Sequence, residues 1–192
     1  MNKLLVVALE DEFDGDLLPE DWQIVYTGIG KVNAAIMTCE AVGLFMPDVI
    51  VNYGSAGAIS DVSGLVEIRA VLQRDMDTRP LAERGITPRE NSSVMHCLTT
   101  SSNLICATGD SFVTEHDPWL HQLEVDVVDM EAYAIAKVAR YTGIPFCCWK
   151  YVSDNADSSA PDVWKENASN GQMQFLQEVV HGEFSSVRRR YH

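Results

Sequence analysis

The sequence predicts an α/β fold in which helices cover a central sheet, and two observations carry this prediction. Apolar runs of strand length alternate with helical repeats through most of the chain, which is typical of layered α/β folds. Residues Ile144–Val152 form an apolar run that would be buried on both faces, as strands of parallel sheets are. With 46% hydrophobic content and no repeat or linker, we expect residues 1–192 to form one domain.

The first half of the chain predicts a βαβ unit. Apolar residues recur at helical period through Lys31–Phe45, which predicts a helix after the tight turn Gly28–Gly30. The members of this repeat are Val32, Ala35, Ile36 and Cys39. Strands are predicted over Lys3–Ala8, Trp22–Thr27 and Asp48–Asn52. A unit of this kind should have a right-handed crossover.

The middle and the end of the chain predict shorter elements. Alternation over Gly64–Leu72 indicates another strand, and Val94–Thr108 contains a short one. Between them, Thr78–Ser93 carries two prolines and a glycine and is predicted to be a long loop. From Asp162 onward, helical spacing returns through Met173, Leu176 and Val180.

The stretch Val127–Asp157 places two carboxylates at one edge of the predicted sheet. It predicts the end of a strand, a helix that Gly143 would terminate, a second strand and a polar turn. Glu131 lies where the first strand passes into the helix, and Asp154 follows the second strand. Ligands of open α/β sheets collect beyond the carboxyl ends of the strands. We therefore expect both acids to face one crevice.

The run Val128–Ala132, with Ser153–Asp157 downstream, resembles the purine nucleoside phosphorylase and nucleosidase family, and within it the methylthioadenosine/S-adenosylhomocysteine nucleosidases. Four further pieces fall in the family's order: Ala8–Glu12, Gly28–Ala34, Asn52–Gly57 and Ala107–Phe112. The resemblance implies a three-layer α/β sandwich with a central mixed twisted sheet flanked by helices. It also implies cleavage of a purine nucleoside, with adenine as the favoured base and with no cofactor.

The resemblance implies roles for three carboxylates. Asp154 would protonate the purine at N7, Glu12 would activate the attacking water, and Glu131 would accept hydrogen bonds from both ribose hydroxyls. Each has a structural alternative. Asp154 would also suit a helix N-cap or an Asx-turn, Glu131 a first helical turn, and Glu12 a solvated acidic loop.

Eight further residues are predicted to contact the substrate or the water. They are Leu9, Ser55, Gly57, Phe112, Val113, Met130, Lys150 and Ser153. By resemblance, Phe112 would stack on the purine, the Val113 backbone would bind the base edge, and Met130 would pack under the sugar. Lys150 stands where the nucleosidases usually carry arginine. The stretch Gly54–Gly57 would offer free N–H groups to an oxyanion or a water.

The acidic turn after the first strand favours hydrolysis over phosphorolysis. Related phosphorylases present glycine and arginine there, whereas this chain has three acids over Glu10–Glu12 and no basic residue between Lys3 and Lys31. Like charges at about 4 Å repel by several kcal/mol at an effective dielectric near 20. A phosphorylase and a catalytically silent nucleoside sensor stay open as alternatives. The 5′ substituent is also open: methylthioadenosine, S-adenosylhomocysteine and 5′-deoxyadenosine all fit.

Composition argues against several classes of partner. The formal net charge of −14 disfavours nucleic acid and anionic membranes, because binding either needs clustered Lys or Arg. No apolar run approaches the ~20 residues that span a bilayer. The apolar stretch before Glu10 is too short for a signal peptide. The basic run within 185–192 is expected to be a solvated tail.

The positions of the histidines and cysteines argue against a metal site and against disulfide bonds. No metal is expected, because His96, His116 and His121 lack partners at ligand spacing. The five cysteines show no C-x-x-C spacing and are predicted to be reduced core thiols of a cytoplasmic protein. Family pockets commonly borrow a neighbour's loop, and the compressed segment Phe13–Thr27 leaves this pocket less enclosed. We therefore expect a homodimer or a larger homo-oligomer.

Overall fold

The structure, a computed structural model, describes residues 1–90, 94–99 and 102–184, except for the side chain of Glu183. Across these ranges nine strands form one mixed sheet. The strands are β1 (Lys3–Val7), β2 (Trp22–Tyr26), β3 (Val49–Ala58), β4 (Leu65–Glu67), β5 (Ala70–Gln73), β6 (Val94–His96), β7 (Ile105–Thr108), β8 (Val127–Asp129) and β9 (Phe146–Asp154). The α-helices are α1 (Lys31–Phe45), α2 (Pro118–Gln122), α3 (Ala132–Thr142), α4 (Ala160–Asn167) and α5 (Gln172–Phe175), which continues as a π-helix over Leu176–Glu183; a 3-10 helix spans Gly15–Leu17.

Strand β3 joins the two halves of the sheet. On one side it runs parallel to β1, which in turn runs parallel to β2. On the other side it runs parallel to β9. Past the end of β1, on the side of β3 opposite β9, the last two residues of β3 pair antiparallel with β8. Beyond β8 follow β7 and β5, both parallel, and then the antiparallel β6; β4 pairs antiparallel with β9. The carboxyl ends of β1, β3, β8 and β9 therefore lie close together.

Alternate residues of β1 face two apolar cores on opposite sides of the sheet. Leu4 and Val6 join a core that includes residues of α1 and α3. Leu5 and Val7 join another that includes residues of α5 and its π-helical continuation. All four side chains are fully buried, as the two-residue period of a strand covered on both faces requires. The predicted three-layer α/β sandwich is confirmed.

Strand β3 is longer than the predicted Asp48–Asn52. It continues through the glycine-rich stretch Gly54–Gly57 to Ala58 because β9 is long enough to pair with it up to Asp154. The stretch is therefore part of a strand and does not form a nest after it. Strand β1 pairs with β3 only as far as Asn52, which leaves later backbone amides on that side of β3 free for side chains.

Helix α1 begins and ends as predicted, and of the four residues of its apolar repeat only Ala35 packs against the core. Val32 is 69% exposed and Ile36 is 52% exposed. The buried positions are instead Ala34, Thr38 and Ala41. Small side chains on this face allow α1 to pack closely on α3, whose buried face is also rich in alanine. Cys39 is exposed as well, so the prediction of core thiols holds for the other four cysteines only.

The remaining differences concern short elements. The strand predicted over Gly64–Leu72 is divided into β4 and β5, which pair with different neighbours. Val94–Thr108 contains two strands, and we did not predict α2. Gly143 ends α3 with a left-handed φ of 73°, as predicted. Residues 91–93 of the predicted long loop and the predicted tail at 185–192 lie outside the described residues. No helix within the described ranges is long and apolar enough to span a bilayer.

Candidate active site

A pocket opens where the carboxyl ends of β1, β3, β8 and β9 meet. It contains about 690 Å³ of space, part of it open to solvent. Nine of the eleven predicted site residues line it: Leu9, Glu12, Ser55, Gly57, Phe112, Val113, Met130, Glu131 and Asp154. Lys150 and Ser153 are not among the lining residues. Both carboxylates of the Val127–Asp157 stretch thus face one crevice, as predicted.

Glu12 is held rigidly against strand β3. Its Oε1 accepts hydrogen bonds from the Ser55 backbone N at 2.8 Å and from the Ser55 Oγ at 2.5 Å. Its Oε2 accepts only a longer bond, 3.3 Å, from the Leu9 backbone N. Glu12 is 4% exposed, whereas Glu10 and Asp11 point to solvent. Of the three acids in the turn, Glu12 therefore faces the pocket. Its Oε2 is better able than its Oε1 to accept a hydrogen bond from a water, because the Oε1 already accepts two short bonds.

Asp154 ends strand β9 and is also buried. Its Oδ2 accepts from the Ser153 Oγ at 2.8 Å, and its Oδ1 accepts from the Ala156 backbone N at 2.9 Å. The second bond is the Asx-turn contact that the sequence allowed as an alternative. A Cβ atom at Gly57 would lie 2.7 Å from the Asp154 Oδ1, so glycine makes room for this carboxylate. Ser153 therefore does not line the pocket itself but holds the Asp154 carboxylate through its hydroxyl hydrogen bond.

Glu131 caps the start of α3 without bonding its own helix. Its Oε1 instead accepts a hydrogen bond from the Gly30 backbone N at 2.8 Å. The pKa of Glu131 is raised to about 8, mainly because the side chain is buried and to a smaller extent because the charge of Asp129 lies nearby. A side chain that served only the helix dipole would be exposed and would point along the helix. The contact with Gly30 makes this carboxylate part of the pocket wall.

Lys150 is fully buried and pairs with Asp129, whose Oδ2 lies 2.8 Å from the Lys150 Nζ. Although burial lowers the pKa of Lys150, the Asp129 carboxylate raises it above its usual value. The Asp129 Oδ2 also accepts from the backbone N of Glu131 at 3.2 Å and of Ala132 at 2.8 Å. Lys150 therefore lies behind the pocket wall and acts on the site through Asp129.

Aromatic and apolar side chains complete the pocket. Phe112 stands 44% exposed at the mouth, with its ring centroid 6.4 Å from that of Trp164. The Trp164 Nε1 donates to the Ser55 Oγ at 2.6 Å, so this indole contacts the group that holds Glu12. Val113 and Met130 are half-buried in the lining. This arrangement suits a flat base held between apolar walls, with polar groups at its edges.

Sequence reasoning missed three residues that shape the pocket: Arg74, Asp129 and Trp164. Asp129 lies inside a motif that we quoted, and its place before a helix was a usable signal for a capping carboxylate. Trp164 lies on α4, and its spacing does not distinguish a pocket residue from a surface one. Arg74 follows β5, and residues just after parallel strands deserve testing as site residues.

Residues 21–181 match the profile of the Phosphorylase superfamily. A 5′-methylthioadenosine/S-adenosylhomocysteine nucleosidase from an Exiguobacterium species is 32% identical over 183 residues, which covers 82% of this chain and 78% of the relative. The nucleosidase of that name from Colwellia psychrerythraea, solved with adenine, has a TM-score of 0.83 at 22% identity and 95% coverage of each chain. Futalosine hydrolase of Helicobacter pylori has a TM-score of 0.82 at 19% identity, covering 93% of this chain and 97% of its own. Both structural likenesses show a shared fold.

Proposed function

The chain belongs to the phosphorylase superfamily, and we propose that it hydrolyses the N-glycosidic bond of an adenine nucleoside to release the free base and the ribose moiety. The similarity to the Exiguobacterium nucleosidase supports methylthioadenosine and S-adenosylhomocysteine as substrates. The substrate class also includes 5′-deoxyadenosine, because the adenine and ribose contacts that we propose would be the same.

The observation that carries this proposal is the geometry of Glu12. A general base must be able to reach the water that it deprotonates, and the Glu12 Oε2 has that capacity at the pocket wall. A phosphorylase would need positive charge there. Among the residues that the structure describes, Arg74 is the one basic residue that lines the pocket, and its two terminal nitrogens already donate to protein oxygens. The pocket therefore suits water better than phosphate.

The proposed reaction uses each acid once. As the bond between C1′ and N9 breaks, its electron pair moves into the purine, and Asp154 gives a proton to N7. Glu131 accepts hydrogen bonds from the ribose hydroxyls while positive charge develops on the sugar. Water attacks C1′, and Glu12 takes its proton. A nucleoside sensor without turnover would need none of this proton transfer, yet all three acids line the pocket.

Release of free adenine from methylthioadenosine in phosphate-free buffer is the expected result for the purified protein. Adenine is measured by chromatography with and without added phosphate, over a panel of purine nucleosides that differ at the 5′ position. Hydrolysis gives equal rates in the two buffers. Strict dependence on phosphate would establish a phosphorylase, and tight binding without release would establish a sensor.

We propose further that the protein works as a homodimer or a larger homo-oligomer. Ile29, Val32 and Ile36 are exposed apolar residues on and just before α1, and Ile29 also lines the pocket. Exposed apolar patches of this kind often mark interfaces. A second copy seated on these residues would cover them and enclose the pocket.

Light scattering at micromolar concentration should therefore give at least twice the 21.3 kDa chain mass. Val32→Glu and Ile36→Glu together should shift the protein to monomers, because the charges would be buried in the interface. Glu40→Gln, at another exposed position of α1, serves as the control. A monomeric wild-type protein with full activity would contradict this proposal.

The cysteines and the net charge support a proposal for the compartment and the partners of the enzyme. All five cysteines are free, which suits a reducing compartment, and we place the enzyme in the cytoplasm. A net charge of −14 disfavours nucleic acid and anionic membranes as partners. The proposed partners are a small purine nucleoside, water and further copies of the chain.

A further inference from the structure

The residue proposed to stack on the purine lies on a loop that belongs to no helix or strand. We call residues 109–113 the base loop; it follows β7 and carries Phe112 at its tip. Phe112 is 44% exposed, and its ring contacts that of Trp164. Because this packing covers only part of the side chain, contacts of the loop backbone should add to its positioning.

A buried arginine holds this backbone. Arg74 is 6% exposed and directly follows β5, which runs parallel to β7. Its Nη2 donates to the carbonyl oxygens of Gly109, at 3.0 Å, and of Ser111. Its Nη1 donates to the Ser111 Oγ at 3.4 Å. A Cβ atom at Gly109 would lie 2.8 Å from the Arg74 Cζ, so the guanidinium packs directly on the loop backbone.

The next residue along the chain holds the loop from a second direction. The Asp75 Oδ2 accepts from the Asp110 backbone N at 2.9 Å. The Asp75 Oδ1 forms an ion pair with the Lys31 Nζ, and the Lys31 backbone N donates to the Asp110 Oδ1 at 2.8 Å. Lys31 directly follows Gly30, whose amide binds Glu131. These contacts connect the base loop to the turn that holds the ribose-binding carboxylate.

We propose that Arg74 and Asp75 are positioning residues that fix the base loop, and with it Phe112, for binding of the purine. The assignment of a purine to this loop rests on the proposed function. Arg74 lines the pocket, but its terminal nitrogens are occupied by Gly109 and Ser111, so it acts through the loop and leaves contact with the base to Phe112. Hydrogen bonds from a charged donor are among the stronger ones in proteins, which suits the anchoring of an exposed loop.

The first test needs no ligand. Hydrogen exchange is measured at the amides of Gly109, Asp110 and Ser111, which donate to Asp129, Asp75 and Gly109 respectively. Arg74→Met and Asp75→Ala should each speed exchange at these amides about ten-fold or more, since anchoring bonds to charged groups are lost. Exchange in β1 should not change. Arg79→Met is the matched control, because Arg79 is exposed and pairs only with Asp77 among the described residues.

The second test asks whether Arg74 acts through Phe112. Arg74→Met should weaken adenine binding about ten-fold, measured by calorimetry, and Arg74→Lys should lose less because it keeps one donor. In a Phe112→Ala background, Arg74→Met should weaken adenine binding by clearly less than in the wild type, since only the contact of the Val113 backbone with the base then remains to be disturbed. Additive losses would show a direct contact with the base and overturn the proposal, as would unchanged exchange in the base loop. A wild-type protein that binds no purine would instead contradict the proposed function, while the exchange result would still decide this inference.

Discussion

Glu12→Gln should lower kcat by about 10²–10⁴-fold, the usual contribution of a general acid or base, while the intact nucleoside still binds. The glutamine oxygen can keep both bonds from Ser55 that the Glu12 Oε1 accepts, and only the longer bond from the Leu9 backbone N to the Oε2 is lost, so the side chain should stay in place. What is lost is the carboxylate that takes the proton of the attacking water. Single-turnover rates of adenine release and calorimetric affinity for the nucleoside separate these two effects.

Glu10→Gln is the matched control, because it makes the same change two residues away on an exposed side chain. It should retain wild-type kcat. If both variants lost activity equally, the net charge of the turn would matter rather than the Glu12 contact with the water. If Glu12→Gln lost affinity for the nucleoside and kept its rate, Glu12 would bind substrate and another group would activate the water.

The position of the site could be predicted because it depends on where strands end. Glu12 follows β1, Glu131 follows β8 and Asp154 ends β9, and all three strand ends are visible as apolar runs that stop at polar residues. In a sheet of this kind such residues meet at one edge. The motifs then added identities that hydrophobic periodicity alone does not provide.

Details that depend on packing between distant segments could not be predicted. The apolar repeat of α1 predicts the helix but not its buried face, since the contact with α3 requires small side chains and leaves Val32 outside. Strand β3 passes through Gly54–Gly57 because β9 pairs with it, which no local glycine rule indicates. The anchoring by Arg74 depends on β5 and β7 being neighbours. The ion pair of Lys150 could not be predicted for the same reason, because its partner Asp129 lies on another strand.

Asp154→Asn should also lower kcat by about 10²–10⁴-fold, and this loss should depend on the leaving group. Asparagine keeps the acceptor for the Ala156 amide at the place of the Oδ1, so the turn after β9 should hold. It can still hydrogen-bond the base, but it cannot deliver a proton to N7. Affinity for the nucleoside should therefore change little, as measured by calorimetry on the variant.

A nucleoside whose base leaves without protonation should partly restore the rate of Asp154→Asn, because the missing proton is then not needed. The same nucleoside should not restore Glu12→Gln, since water activation is still absent. Asp157→Asn is the control: Asp157 is exposed, and among the described residues its carboxylate bonds only Ser159, so its rates should match the wild type for both substrates. If neither Asp154→Asn nor Glu12→Gln responded to the leaving group and both lost affinity alike, the two acids would be structural, and proton transfer would have to come from another group that lines the pocket.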